Sequence, residues 1–281
     1  MDNHHKSHKA RKSRSLKKSP RTPSFSTSQK TKQTSHTTKS IDRNSSNDSF
    51  HVLFQDEYIA IIFKPSGLLS VPYPGSHGKT ALEMLENVMR KRGSWNKGHH
   101  PFAVHRLDRD TSGILMFALS FQAQQKIMNT WHKMITERLY HAVAENPNTQ
   151  KAQILPDSGL IDAPLAQNAY HQSYVPKDLK NKAQHLSPAR TNYKILERGN
   201  EYTLFELALD TGKKNQIRAH LAYLGYPLAG DKNYRAKTDP FHRLALHART
   251  LNFIHPYTGE NMHFEISEPS SWQKTVEHSI K

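Results

Sequence analysis

The most constraining stretch of the chain reads HRLDRDTSG at positions 105–113 and runs directly into ILMFAL at 114–119. Two carboxylates and two guanidinium groups fall within five positions, and the apolar run that follows them is typical of a buried strand. Arginine neighbours favour the ionised form of a carboxylate, so Asp108 is a candidate nucleophile or general base. A structural turn, in which the side chains of 110–112 bind nearby backbone groups, fits the same residues equally well.

Apolar periodicity on either side of this stretch predicts strands and helices that do not alternate strictly. Strand patterns occur at 52–63 (two short strands around a turn at 55–57), 114–119, 139–144, 191–196, 202–209, 244–246 and 262–266. Helix patterns follow Thr80 up to about 93, cover about 123–134, and run from about 215 to 224 before Gly225. Because strands outnumber helices, we predict an α+β fold with a mixed, largely antiparallel sheet and flanking helices.

The first 49 residues form a separate compositional zone. They contain twelve Lys and Arg against three Asp, which gives +9 of the chain's formal net charge of +16. Apolar side chains are too scarce there to offset the entropy lost on ordering. We therefore predict a disordered basic arm over 1–49 and a catalytic domain over 50–281. The charge of the arm favours nucleic acid, before a membrane surface, as the partner.

Two other interpretations of the arm stay open. It is basic, rich in serine and poor in acids, as transit peptides are, although it is lysine-rich and has no apolar face. His4, His5 and His8 form a short histidine tract able to bind metal, although such tracts in polar tails are usually incidental.

Composition and spacing argue against several other classes of chemistry. The 281 residues include no cysteine, which excludes thiol catalysis and cysteine-based metal sites. This composition fits a reducing compartment, so we expect a cytoplasmic protein without a membrane span. His99, His100 and His105 lack the partner spacing of a metal site. The GSHGKT segment at 75–80 lacks the glycine that a P-loop requires at position 73. We therefore expect no metal and no cofactor.

Five segments resemble, in order and spacing, the RluA-type family of pseudouridine synthases. Besides 105–119 they are KPSGL at 64–68, RLYHA at 138–142, TGKKNQIRAHL at 211–221 with LGYP at 224–227 and GD at 230–231, and LHA at 246–248 with HPYTG at 255–259. The resemblance covers about 50–268. It implies a central catalytic cleft and a cofactor-free isomerisation within RNA, in which the N1–C1′ bond of a uridine breaks, the base turns, and C5 bonds to C1′.

The resemblance also implies catalytic roles for three residues. Asp108 matches the catalytic aspartate of the family, and Arg218 matches the basic residue that pairs with it. For Arg218 the alternatives are a phosphate contact and a surface helix charge. Tyr140 matches the active-site tyrosine, which is suited to stacking on the base and to proton transfer at the sugar. Its alternative is a core tyrosine in a strand.

The RNA contacts implied by the resemblance involve base flipping, because a uridine inside folded RNA cannot otherwise reach a carboxylate in a cleft. Arg106 matches the arginine that fills the vacated stack, with a salt bridge as the alternative. We expect Lys64 and Lys213 to contact RNA as well. The family usually has Arg and His where Lys213 and Asn215 stand, near a helix N-terminus suited to phosphate, so these local contacts depart from the family pattern.

Two further functions are compatible with parts of the sequence. A hydrolase of glycosidic bonds would need a second carboxylate, for which Asp110 is the near candidate. A non-catalytic RNA-binding module is the second alternative. Binding alone does not require the combination of Asp108, Tyr140 and Arg218, which argues against it. Among the RNAs that the family modifies, we slightly prefer ribosomal RNA to transfer RNA.

Overall fold

The computed structural model of the chain describes residues 49–147, 154–178 and 185–279, together with Met1 and the two-residue strand Lys39–Ser40. The chain divides into two units, Met1–Ser35 and His36–Lys281, and every described residue except Met1 belongs to the second. The predicted disordered arm over 1–49 lies outside the described residues, apart from Met1, Lys39–Ser40 and Ser49.

The described part of the chain consists mainly of strands, with four α-helices. Strands β1 to β13 are Lys39–Ser40, His51–Gln55, Ile59–Lys64, Phe102–Ala103, Ser112–Ala118, Ile135–Glu145, Ser158–Asp162, Ala166–Gln167, Ser173–Tyr174, Arg190–Arg198, Tyr202–Leu209, Leu246–Ile254 and Asn261–Glu265. Helices α1 to α4 are Ala81–Lys91, Phe121–Met134, Gln216–Tyr223 and Ser271–His278, and a 3-10 turn covers Lys232–Tyr234.

One large sheet organises these elements. Its main path has the order β2-β3-β5-β12-β6-β11-β10-β7, while β4 pairs with β5, β13 with β12, and β1 with β13. Strands β8 and β9 form a separate hairpin. Among the described strands, only β5–β12 and β1–β13 pair in parallel, and the other pairings are antiparallel. The predicted α+β class with a largely antiparallel sheet is confirmed.

Burial on both faces of the sheet characterises its central strands. All six residues of β3 are buried, with Ala60 and Ile62 in one core cluster and Ile59 and Ile61 in another. Strand β5 alternates between the same two clusters. Because neither face of the sheet is exposed to water here, the sequences of both strands are largely continuous apolar runs rather than alternating patterns.

The parallel junction of β5 with β12 depends on a glycine. Gly113 has φ of 119°, and a Cβ at this position would overlap the backbone carbonyl of Ala248. Only glycine allows the two strands to approach so closely at the pairs Ser112–His247 and Gly113–Ala248. The junction brings the N-terminal ends of β5 and β12 together beside β6.

Several predicted boundaries agree with the structure and others need correction. Thr80 caps α1 in a capping box with Glu83, as the sequence pattern predicts. The closing strand predicted at 244–246 is wrong in position, because β12 begins at Leu246 and continues to Ile254. Ala245 instead joins Val143 and Ala229 through backbone hydrogen bonds. No helix within the described ranges is long and apolar enough to cross a membrane.

Candidate active site

Asp108 lies in the turn that precedes β5, where the N–H of Thr111 donates to its backbone carbonyl at 3.2 Å. The turn borders a cavity of about 570 Å³ that is also walled by parts of α2, β6 and the start of α3. Asp108, Tyr140 and Arg218 all line this cavity. The structure therefore brings the three predicted catalytic residues together in one cleft.

The carboxylate of Asp108 is held through one of its two oxygens. Asn215 donates from Nδ2 to Oδ2 at 2.6 Å, and Nη1 of Arg218 lies 3.8 Å from the same oxygen. The Asp108 side chain is 22% exposed, so it is partly open to the cavity. Analysis of the sequence missed the Asn215 contact, although the asparagine stood out there as a departure from the family pattern.

Arg218 forms its shortest ion pair with Asp231 rather than with Asp108. Nε and Nη2 of the guanidinium donate to the two oxygens of Asp231 at 2.6 and 2.8 Å. The Asp231 side chain is only 1% exposed, and the guanidinium carbon lies 4.9 Å from the ring centroid of Tyr234. Burial lowers the pKa of Arg218. The hydrogen bonds and the charge of Asp231 outweigh this effect, and the charge of Asp108 adds to them, so the pKa lies above its ordinary value.

Tyr140 lies in β6 opposite Ala248 of β12 and Leu207 of β11 and is buried at the base of the cavity wall. Burial raises the pKa of its phenol; the charge of Arg138 opposes this effect and the charge of Asp108 adds to it. The hydroxyl therefore stays protonated at neutral pH, which suits a proton donor better than a base.

The KPSGL segment at 64–68 clamps the loop that carries Asp108. The ammonium of Lys64 donates to the carbonyls of Pro65, Leu68 and Arg109 at 2.7–2.9 Å. Lys64 has no exposed surface, so its ammonium cannot reach a phosphate. This burial corrects the prediction that Lys64 contacts RNA, because its charge is already held by backbone carbonyls.

Two serines extend this clamp on both sides of Asp108. Ser66 donates to the carbonyl of Asp110 at 2.8 Å. The hydroxyl of Ser70 donates to the carbonyl of Leu107 at 2.7 Å and accepts the N–H of Leu107 at 3.1 Å. Together with Lys64, these side chains fix the backbone before and after Asp108.

Two of the residues predicted to contact RNA line the cavity and are exposed. Arg106 and Lys213 both line the cavity and have exposed side chains. Arg106 makes no ion pair with any acid in the described ranges, so the salt-bridge alternative for it is not realised there. Met128, which is 53% exposed, and Trp131 add apolar surface from α2.

His105 is a structural residue of the cavity wall. Its Nε2 accepts the backbone N–H of Met116 at 3.0 Å, which requires the neutral ring. Burial, helped by the charge of Arg138, lowers its pKa to about 3. In the described part of the chain, no three His, Asp or Glu side chains group as a metal site would require.

The fold and the cleft define a pseudouridylate synthase architecture. A human protein titled RNA pseudouridylate synthase domain containing 4 matches it with a TM-score of 0.61 over 80% of this chain and 91% of that one, at 21% identity. The chain belongs to the RNA pseudouridylate synthase family, whose sequence profile matches residues 58–223. It is therefore an RNA-modifying isomerase, and the predicted RluA-type resemblance is confirmed.

Relatives within the family share most of the chain. The uncharacterized RNA pseudouridine synthase YlyB of Bacillus subtilis is 35% identical over 82% of this chain and 73% of its own length. The ribosomal large subunit pseudouridine synthase D of Pasteurella multocida is 30% identical over 82% of this chain and 71% of its own length. Each match extends beyond the segments that carry the motifs.

Proposed function

We propose that this enzyme isomerises specific uridines in RNA, ribosomal RNA before transfer RNA, with Asp108 as the nucleophile and without a cofactor. The observation that carries this proposal is the convergence of Asp108, Tyr140 and Arg218 on one cavity of about 570 Å³. A cavity of that volume accommodates one flipped nucleoside. A single extruded uridine would place its sugar and base within reach of all three side chains.

The proposed chemistry conserves every atom of the uridine. A carboxylate oxygen of Asp108 bonds to C1′ while the N1–C1′ bond breaks, and the bonding electron pair leaves with the base on N1. The base turns, and C5 attacks C1′ and displaces the carboxylate. C5 then loses its proton and N1 gains one, so that the product is an isomer of the substrate and Asp108 is regenerated.

One neighbouring positive charge and one phenol support these steps. The guanidinium of Arg218, fixed by Asp231, keeps positive charge near the carboxylate of Asp108 before substrate arrives. Because burial keeps the phenol of Tyr140 protonated, its hydroxyl is available as a proton donor at the sugar or base. Its ring offers a flat surface against which the extruded base can stack.

The rim side chains suit the flipped state of the RNA. The exposed guanidinium of Arg106 is free of ion pairs to described acids and can enter the stack that the uridine leaves. Lys213 borders both the main cavity and an adjoining cavity of about 340 Å³. A phosphate next to the flipped nucleotide would pass between these cavities, where Lys213 can meet it as a point charge.

The hydrolase alternative is less well supported by this geometry. Asp110, its candidate second carboxylate, pairs with Arg109 at 3.0 Å on the surface and does not line the cavity. A retaining or inverting hydrolase needs both carboxylates to face the same glycosidic bond. The preference for ribosomal RNA draws on the relative named for the ribosomal large subunit. We also propose a cytoplasmic location, on the absence of cysteine from the sequence.

Purified full-length protein incubated with RNA labelled with tritium at C5 of uridine tests the proposal. We expect tritium release without free uracil, and more release from ribosomal RNA than from transfer RNA. Free uracil would indicate hydrolysis, and binding without either product would indicate a non-catalytic module. Release from transfer RNA alone would overturn the substrate preference and leave the reaction class intact.

A further inference from the structure

We propose that Asn215 is a positioning residue that fixes Oδ2 of Asp108 and so assigns the other oxygen, Oδ1, to attack the uridine. This inference rests on the proposed nucleophilic role of Asp108. It adds a residue with no assigned function to the reaction and distinguishes between the two oxygens of the nucleophile.

The backbone of Asn215 is strained in a way that serves this contact. Asn215 precedes the first turn of α3 as its N-cap, with φ of 53° and ψ of 21° in the left-handed region. Asparagine adopts this conformation more readily than most residues, but it remains uncommon outside glycine. Strained backbone at a functional cleft is consistent with a side chain that must point in one direction.

The side chain of Asn215 does not perform the usual task of an N-cap. An asparagine at this position normally accepts an N–H of its own helix, whereas Asn215 makes no such bond. The side chain of Gln216 organises the preceding loop instead, because its Oε1 accepts the N–H of Lys213 at 3.0 Å and the hydroxyl of Thr211 at 2.7 Å. The amide of Asn215 is thus available to donate to Asp108 at 2.6 Å.

Both neighbours of the carboxylate act on the same oxygen. Oδ2 of Asp108 accepts from Asn215 and faces Nη1 of Arg218 at 3.8 Å. Among the described residues, none makes a hydrogen bond to Oδ1, and the approach of Arg218 is to Oδ2. Nε and Nη2 of Arg218 donate to Asp231. This pairing fixes the orientation of the guanidinium, so Arg218 cannot rotate to donate a hydrogen bond to Oδ1. Oδ1 therefore keeps its lone pairs available, and rotation of the carboxylate is restricted.

The amide also differs from an imidazole in its response to pH. Asn215 stands where the family resemblance leads us to expect histidine, and an amide carries no charge at any working pH. A histidine here would face Asp108, Arg218 and the exposed Lys213 and Lys214 that line the same cavity. Once protonated, it would form an ion pair with Asp108 and make the carboxylate a weaker nucleophile.

The test uses Asn215→Gly, which removes the amide while retaining a backbone that favours positive φ. We expect the single-turnover rate of tritium release to fall roughly 10- to 100-fold, with an unchanged Kd for RNA, because the carboxylate is misplaced. The control is His242→Gly, which replaces another residue of positive φ, 52°, that is exposed and lies outside the cavity. This control should turn over at the rate of the unmodified enzyme.

A second variant gives a readout that a merely structural role would not move. For Asn215→His we expect the single-turnover rate to rise with pH between about 5 and 8, as the imidazole loses its proton, relative to the profile of the unmodified enzyme. An Asn215→Gly rate equal to that of the control, or an Asn215→His profile identical to that of the unmodified enzyme, would overturn the inference. If Asp108→Asn is itself active, the proposed nucleophile fails; if Asp108→Asn is inactive and Asn215→Gly is fully active, only the positioning role fails.

Discussion

Asp108 and Arg218 illustrate how the cleft keeps charge in place before substrate binds. The guanidinium donates to both oxygens of the buried Asp231, and this bidentate pair fixes its orientation. Arg218 therefore presents a fixed positive charge to Asp108 at 3.8 Å rather than a direct hydrogen bond. A preorganised charge needs no rearrangement during the reaction, which is the usual source of electrostatic catalysis.

Replacing Tyr140 with phenylalanine separates the two roles proposed for that residue. The ring, and therefore base stacking, is retained, while the hydroxyl that donates a proton is lost. We expect the single-turnover rate to fall by about 10²- to 10⁴-fold, as for other losses of general acid catalysis, with little change in RNA affinity. Turnover of Tyr140→Phe at the rate of the unmodified enzyme would leave only the stacking role.

For the individual side chains of the cleft, the sequence predicted which residues lie together but not all of the contacts that they make. Motif matches placed Asp108, Tyr140 and Arg218 in one cleft, and the structure brings them together. Motifs say nothing about whether a guanidinium has a second partner, so the pairing of Arg218 with Asp231 was not anticipated. It depends on the tertiary packing of α3 against the loop before the 3-10 turn.

Among the elements, the segment from Lys64 to Ser70 has the clearest mechanical role. Three of its side chains bind backbone groups of Leu107, Arg109 and Asp110, which flank the proposed nucleophile. The loop that carries Asp108 is therefore held from the adjacent end of β3 in addition to its own hydrogen bond from Thr111 to Asp108. Such support from neighbouring residues is what keeps a reactive group within tenths of an ångström of its working position.

The variant Lys64→Met tests this clamp and the corrected role of Lys64. Loss of the ammonium leaves buried carbonyls without a donor, so we expect the free energy of unfolding to fall by about 1–3 kcal/mol in urea titrations. We also expect slower turnover with unchanged RNA affinity. Lys91→Met, at an exposed lysine in the last turn of α1, is the matched control and should stay within about 0.5 kcal/mol. A selective loss of RNA affinity would restore the original prediction.

The face of β6 opposite Tyr140 carries a buried ionic network. His141 lies 3.0 Å from Glu268 and 3.5 Å from Glu206, and Arg249 binds Glu268 at 2.5 Å. Burial lowers the pKa of His141, but the neighbouring carboxylates of Glu206 and Glu268 raise it above the ordinary value of 6.5. Burial raises the pKa of Glu268, but His141 and then Arg249 outweigh this effect and bring it to about 2.

These two shifts predict that the network around His141 stabilises the protein most between about pH 4.5 and 6.5. The contribution of His141 is complete below 6.5 and is lost as the pH rises through its raised pKa in the folded state. The contribution of Glu268 is complete above 4.5 and is lost as the pH falls towards 2. Urea titrations of the unmodified protein should show falling stability above pH 6.5. His141→Gln should lack that decline; a decline of equal size in both proteins would assign it to other groups.

Strands β3 and β5 could be predicted from the sequence because both of their faces are buried. A strand buried on both faces appears as an apolar run, which can be recognised without knowing the partner strand. The later elements were harder. Helix α4 buries only Trp272 and Val276, and β7 alternates weakly, so neither produces a strong periodic signal. The start of β12 was misplaced because the apolar residues just before it are buried by loop contacts rather than by strand pairing.

For the whole molecule, the uneven distribution of charge leads us to expect that the segment 1–49 contributes to RNA binding. The segment 1–49 contributes +9 of the net +16. Deleting it should weaken RNA binding and flatten the dependence of log Kd on log salt concentration, because fewer counterions are released. A neutral Gly/Ser segment of equal length is the control for chain length. An unchanged salt slope in the deletion variant would show that this segment does not contact phosphates.

The most direct test of the central claim compares Asp108→Asn with Asp110→Asn, a neighbouring carboxylate outside the cavity. Tritium release from C5-labelled RNA is measured at saturating enzyme, beside the Kd of each variant for the same RNA. We predict no detectable release from Asp108→Asn with nearly unchanged Kd, and release close to that of the unmodified enzyme from Asp110→Asn. Sustained release from folded Asp108→Asn would contradict the assignment of Asp108 as the nucleophile.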